Sequence, residues 1–169
     1  MKNLKNYNIN NKKILFRADL NVPLLDDVIT DTSRIQAIKS SIEMLIYNKN
    51  KIFIMAHFGR PKGEIVSKYS LNFILPSLKE MLNLDKVYFL DNFDRDSVKK
   101  KFNEMQASNL CLVENIRFLK EEENIDLNFA KKMSSFFDVY VNDAFSASHR
   151  NHTSITGFPK FIPAVAGNH

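Results

Sequence analysis

The sequence predicts an α/β domain of three layers, a Rossmann-like parallel sheet with helices on both faces. Two observations carry this expectation. Short apolar runs take turns with longer stretches of helical period, the order that produces parallel strands joined by right-handed helical crossovers. The runs are also continuously apolar, as suits strands buried on both faces. With 169 residues, 44% of them hydrophobic, the chain is long enough for one well-buried core and too short to favour two.

The elements follow in order. Lys13 to Phe16 reads as the first strand, and Lys51 to Ala56, Lys86 to Leu90, Asn109 to Val113 and Asp138 to Val141 as four more, each rich in aliphatic, aromatic or β-branched residues. Between the first two, Ile35, Ile38, Ile42, Leu45 and Ile46 recur at helical spacing behind the candidate caps Asp31, Thr32 and Ser33. A second helix is predicted over Ser70 to Leu82, where Pro76 must kink it or lie in its first turn. Arg95 to Met105 and Ile125 to Phe137 supply two more, the latter with Leu127, Ala130, Met133 and Phe137 on one stripe.

Composition excludes more than it proposes. The net charge is +5, but the lysines are scattered over separate segments, and no continuous basic stripe marks a nucleic-acid surface. The one cysteine, Cys111, lies in an apolar run and reads as a buried strand residue. No run approaches the length of a membrane span and no secretory pattern opens the chain, so a cytoplasmic protein is expected, and Asn151-His152-Thr153 reads as a chance glycosylation triplet.

Five of the six arginines, Arg17, Arg34, Arg60, Arg117 and Arg150, sit where an apolar run gives way to loop or helix. A guanidinium grips carboxylate or phosphate oxygens two at a time, so rare arginines at element ends point to an anion. In open α/β sheets ligands bind beyond the carboxyl ends of the strands. There lie Arg17 to Pro23 with Asp19 and Asn21, His57 to Gly63 with Gly59 and Arg60, Glu114 to Phe118 with Arg117, and Asn142 to Phe145 leading to His149, Arg150 and His152. A parallel sheet places all four clusters on one rim.

Taken singly, each cluster also has a bland reading. Asp19 and Asn21 suit side-chain turns before Pro23, Gly59 and Gly63 a generic loop, and Glu114 with Arg117 an ion pair at a strand end. Arg34 reads as a surface residue of a first helical turn, and Glu121-Glu122-Glu123 as a solvated loop or helix start. His149 and His152 have the spacing of a metal pair without a third ligand, so no metal is expected.

Together the clusters resemble, in order and over about Lys13 to Gly167, the N-terminal half of the phosphoglycerate kinase family. The matching pieces are Arg17-Ala18-Asp19-Leu20-Asn21-Val22-Pro23-Leu24, Asp31-Thr32-Ser33-Arg34-Ile35, His57-Phe58-Gly59-Arg60-Pro61-Lys62-Gly63, Leu112 to Phe118, and Val139 to Phe145 with His149-Arg150. The resemblance implies a two-lobed, monomeric glycolytic kinase that moves a phosphoryl group between 1,3-bisphosphoglycerate and Mg-ADP, giving 3-phosphoglycerate and Mg-ATP. It makes residues 1–169 the 3-phosphoglycerate lobe. By the same resemblance Asp19, Asn21, Arg34, His57, Gly59, Arg60, Arg117 and Arg150 contact the acid, Arg34 also acts in catalysis, and Arg17, His149 and His152 complete a basic patch.

Two positions depart from the family pattern: Ser146 stands where Gly is usual and Phe58 where Leu is usual. Nothing resembles the family's nucleotide lobe, with its Gly-rich phosphate loop, so Mg-ATP and Mg-ADP are assigned outside this chain. The chain is expected to be a truncated form or partial gene product without turnover of its own. Competing with this reading is a non-catalytic binder, either a generic anion-binding α/β module or a basic protein on nucleic acid.

Overall fold

The computed structural model describes residues 2–168; Met1 and His169, the termini read above for a leader and for truncation, lie outside them. Nine strands are β1 (Lys2–Asn3), β2 (Lys13–Arg17), β3 (Leu24–Leu25), β4 (Val28–Ile29), β5 (Lys51–Met55), β6 (Tyr88–Leu90), β7 (Leu110–Val113), β8 (Val139–Asn142) and β9 (Ala164–Ala166). The α-helices are α1 (Ser33–Ala37), α2 (Lys39–Tyr47), α3 (Leu75–Leu82), α4 (Arg95–Glu104), α5 (Lys120–Glu123) and α6 (Leu127–Ser134). Seven strands form one sheet in the order β1-β9-β8-β2-β5-β7-β6, every neighbouring pair parallel.

The sheet separates two cores, and alternate residues of each strand feed opposite ones. Ile14, Phe16, Ile52, Ile54, Leu110 and Leu112 pack on one face with Ile35 and Ile38 and with Ile42, Leu45, Leu78 and Leu82 of α2 and α3. Leu15, Phe53, Met55, Cys111, Val113 and Tyr140 pack on the other with Val98 and Phe102 of α4, Ala130 and Met133 of α6, and Phe158. Phe53 stacks on Phe102 with centroids 4.4 Å apart and meets Phe137 edge-on at 5.4 Å. This is the three-layer architecture expected from the apolar runs.

Several boundaries differ from the periodicity. The first predicted helix is broken at Ile38 into α1 and α2, and Asp31 is a turn former, its Oδ1 accepting the Ser33 N–H at 2.8 Å. Pro76 lies in the first turn of α3, where its missing N–H costs nothing, behind a 3₁₀ turn over Asn72–Ile74. Helix α6 is capped by Asp126, whose side chain accepts from Phe129 N–H. Leu127 leaves the predicted stripe and is 44% exposed, because a residue in the first turn projects beyond the core the helix covers. Strands β1 and β9 escape the sequence reading because they hold only Lys-Asn and Ala-Val-Ala; they exist by pairing with each other and with β8.

The triplet Glu121-Glu122-Glu123 is not uniformly solvated. Glu122 is 2% exposed, since α5 turns it inward against Ser154. Glu114 and Arg117 do not pair either: Glu114 accepts from the Ser70 hydroxyl and the Leu71 N–H, and Arg117 turns toward Gly59. Cys111 is buried in β7, and burial pushes its thiol up to about 12. No helix among the described residues is long and apolar enough to cross a membrane.

Candidate functional site

Backbone ladders continue past the strand ends and set the rim. Ala18 N–H donates to Met55 O, Asp143 N–H to Arg17 O and Ile116 N–H to Ala56 O, each at 2.9–3.0 Å. The loops after β2, β5, β7 and β8 therefore leave the sheet side by side, and with them the sequence clusters.

Asp19 is the first hub. Both its oxygens lie 2.9–3.0 Å from Nη1 of Arg34; Oδ1 also accepts the Asn21 N–H at 3.1 Å and Oδ2 the Ser146 hydroxyl at 2.6 Å. Burial works against the charged carboxyl, but the bonds from Ser146 and Asn21, with the charge of Arg34, hold it below the usual carboxylate range. Ser146, the departure noted in the sequence, thus ties the last loop to the first. Asn21 in turn accepts the Gly59 N–H on its side-chain oxygen at 3.1 Å. Asp19 and Arg34, with Ser33, Ile38, Phe145 and Ser146, line a cavity between α1 and the loop after β8.

The second hub, Asn115, is invisible to the reading of charged residues. Its amide donates to Phe58 O at 2.6 Å and Tyr69 O at 2.9 Å, while its oxygen accepts from Phe58 and Arg117 N–H at 3.2 and 3.1 Å. It latches the His57–Gly63 loop to the turn that carries Arg117. The Arg117 Nη1 then donates to Gly59 O at 3.0 Å, and its Nε is buried with no hydrogen-bond partner among the described residues. Gly59 sits at φ +62°, and a methyl group there would overlap the Tyr69 ring. Gly59→Ala is expected to destabilise the chain by about 1–2 kcal/mol from the left-handed backbone alone, read as a lower urea midpoint at unchanged m-value.

His57 and Arg17 form the buried floor. Arg17, 1% exposed, is no open member of a basic patch: its Nε donates to the Ser154 hydroxyl at 2.9 Å, Nη1 to the Ala18 carbonyl, and Nη2 to His57 Nδ1 at 3.0 Å. The turn over Thr153–Gly157 covers this strand end and buries the cation against Ser154. Burial first, then the Arg17 and Arg117 charges, depresses His57 to about 3, so its ring is neutral at pH 7. His152 is half-buried beside Glu122, with 3.9 Å between Nδ1 and Oε1, and burial lowers it as well. Arg34, Arg60, His149 and Arg150 are exposed. Among the described residues Arg60, Arg117 and Arg150 have no salt-bridge partner, and Arg150 reaches the cluster through its field, which lowers both His57 and Arg117.

The arrangement is a positive, donor-rich rim with a neutral imidazole at its floor. Comparison with known proteins settles its family: the phosphoglycerate kinase family model matches residues 4–169. The chain belongs to the phosphoglycerate kinase family. It is 44% identical over 169 residues to phosphoglycerate kinase of Finegoldia magna, covering 98% of this chain and 42% of that protein. It is 43% identical to the phosphoglycerate kinase of Wolbachia pipientis wMel over 164 residues, 97% of this chain and 41% of the relative. The solved structure of phosphoglycerate kinase from Coxiella burnetii matches with a TM-score of 0.86 at 30% identity, over 98% of this chain and 41% of that one. The chain thus spans about two fifths of the length of the family members it matches.

Proposed function

We propose that residues 1–169 form the N-terminal, 3-phosphoglycerate-binding lobe of a phosphoglycerate kinase. The observation that carries this reading is the convergence of Arg117, Arg150 and neutral His57 on one rim, where among the described residues neither guanidinium has an ion-pair partner and Glu123 and Glu122 reach Arg117 only through their field. Neighbouring guanidiniums without an ion pair raise one another's energy, and an anion with several oxygens relieves the repulsion by taking two donors from each. Arg60, on the loop latched by Asn115, adds a further fork, and His149 and His152 extend the positive field.

In this reading Asp19 and Asn21 orient Arg34 and the Gly59 loop and bond the acid's hydroxyl. Arg34 leaves Asp19 to stabilise charge on the phosphoryl group during reversible transfer between 1,3-bisphosphoglycerate and ADP, which yields 3-phosphoglycerate and ATP. Such transfer depends on positioning and electrostatics more than on covalent help from the protein. The Mg-nucleotide is assigned to the second lobe of the two-lobed enzyme. The full enzyme is proposed to be a cytoplasmic monomer of glycolysis, without nucleic-acid or membrane partners.

Titration calorimetry of the chain with 3-phosphoglycerate is expected to show weak, saturable binding that Arg60→Ala abolishes, and a coupled assay no turnover. In a two-lobed version, Arg34→Lys is expected to lower kcat by about 10²-fold, the scale of losing one preorganised charge-stabilising donor, whereas Arg95→Lys leaves it unchanged. Equal effects of the two replacements, or salt-sensitive nucleic-acid binding without preference for 3-phosphoglycerate, would overturn the reading.

A further inference from the structure

Behind the rim runs a buried line of polar groups that no direct anion contact requires. Glu122 Oε2 accepts the Ser154 N–H at 2.9 Å, and Oε1 accepts the Ser154 hydroxyl. That hydroxyl receives Arg17 Nε–H, and Arg17 Nη2 reaches His57 Nδ1. Each proton in the line has one assignment. The Ser154 proton is spent on Glu122, which leaves the oxygen's lone pairs to receive Arg17; the guanidinium only donates, so Nδ1 accepts and the ring proton sits on Nε2.

We infer that Glu122 is a positioning residue of the anion site: acting through Ser154 and Arg17, it holds His57 in the tautomer whose Nε2–H is free to donate to an oxyanion. The inference rests on the 3-phosphoglycerate reading for the identity of that anion, but the tautomer itself does not.

Three features make Glu122 more than a counter-charge. A buried guanidinium requires compensation, and Glu122 is the foremost acidic group in the field of Arg17. Ser154 is pinned from both sides, because the Tyr140 hydroxyl donates to its carbonyl at 2.7 Å while Glu122 holds its N–H and hydroxyl. Its oxygen therefore has no freedom to follow Arg17 elsewhere. Ser154 also sits in a wide π-type turn over Thr153–Gly157, a local geometry that recurs at functional sites. Facing His57 from other elements are Arg117, Arg150 and Asp19; the two cations disfavour a second ring proton, so the imidazole remains a neutral donor.

The test is long-range ¹⁵N–¹H spectroscopy of the His57 ring in the whole chain, paired with calorimetry using 3-phosphoglycerate. The wild-type ring is expected as a single Nε2–H tautomer between pH 5 and 8. In Glu122→Gln, whose amide offers one acceptor where the Ser154 N–H and hydroxyl together use two, the line loosens and both tautomers should appear. Affinity should drop by about tenfold, the loss typical when an outer partner that orients an imidazole is removed. In a His57→Gln background the same replacement should cost nothing further, since its route of action is gone. If Glu122→Gln does not fold, Ser154→Ala interrupts the same line with both charges kept and must give the same two results. A wild-type ring protonated on Nδ1, or a folded variant with an unchanged tautomer, overturns the inference. Wild-type failure to bind 3-phosphoglycerate with an Nε2–H ring would instead remove the proposed function and leave the positioning line standing.

Discussion

Acidification from pH 6.5 toward pH 4.5 is expected to destabilise the chain with a slope that disappears in His57→Gln. The imidazole is 8% exposed and its folded value is depressed to about 3 from 6.5, first by burial and then by Arg17 and Arg117. Unfolded chains bind a proton at this position below 6.5, while folded chains refuse it. The unfolded state therefore carries more protons across the window, and stability is full above 6.5 and lost as pH falls toward 3. The slope contributed by one such group approaches about 1.4 kcal/mol per pH unit, and the whole window is worth on the order of 3–5 kcal/mol. Urea unfolding of both proteins at successive pH values checks this. Parallel curves would show that the His57 site opens to water before it resists the proton.

Arg17→Met is expected to cost about 3–5 kcal/mol at pH 7, the scale of breaking a buried charge pair from one side. Methionine fills much of the volume but leaves Glu122, 2% exposed, with the Ser154 bonds and the weaker field of Arg117 to stabilise its charge. Burial already holds the Glu122 carboxyl above its usual range, and loss of the cation raises it further. The folded variant then binds a proton more readily than the unfolded one, so its deficit is greatest at neutral pH and shrinks as the solution is acidified toward 4.5. This sign is opposite to that of His57, which separates the two effects. Adding Glu122→Gln should recover part of the loss, because two neutral groups are cheaper to bury than one unpaired charge. A penalty under about 1 kcal/mol in urea unfolding would mean that water reaches Glu122.

What is legible in the sequence and what is not divides along a physical line. The five predicted strands all appear within the sheet, because continuous apolar runs such as Lys51 to Ala56 have no stable place except between two layers. Parallel order then puts the loops bearing Asp19, Asn21, His57, Gly59 and Arg117 on one rim, since every such loop leaves from a strand's carboxyl end. Asn115 escapes notice because its work is amide bonding to backbone at Phe58 and Tyr69, which no charge or period announces. Glu122 escapes because three successive glutamates look solvated; only the meeting of α5 with a turn 32 residues later buries one of them.

Residue order and local chemistry were enough for the layers, the crossovers, the shared rim of loops and the family pattern, all of which follow from periodicity and from residues close in the chain. The inward turn of Arg17, the neutrality of His57, the break at Ile38 and the pairing of β1 with β9 follow from contacts between distant segments. Charge state and burial depend on which surfaces meet in three dimensions, and a guanidinium at a strand end has the same spelling whether it faces water or Ser154.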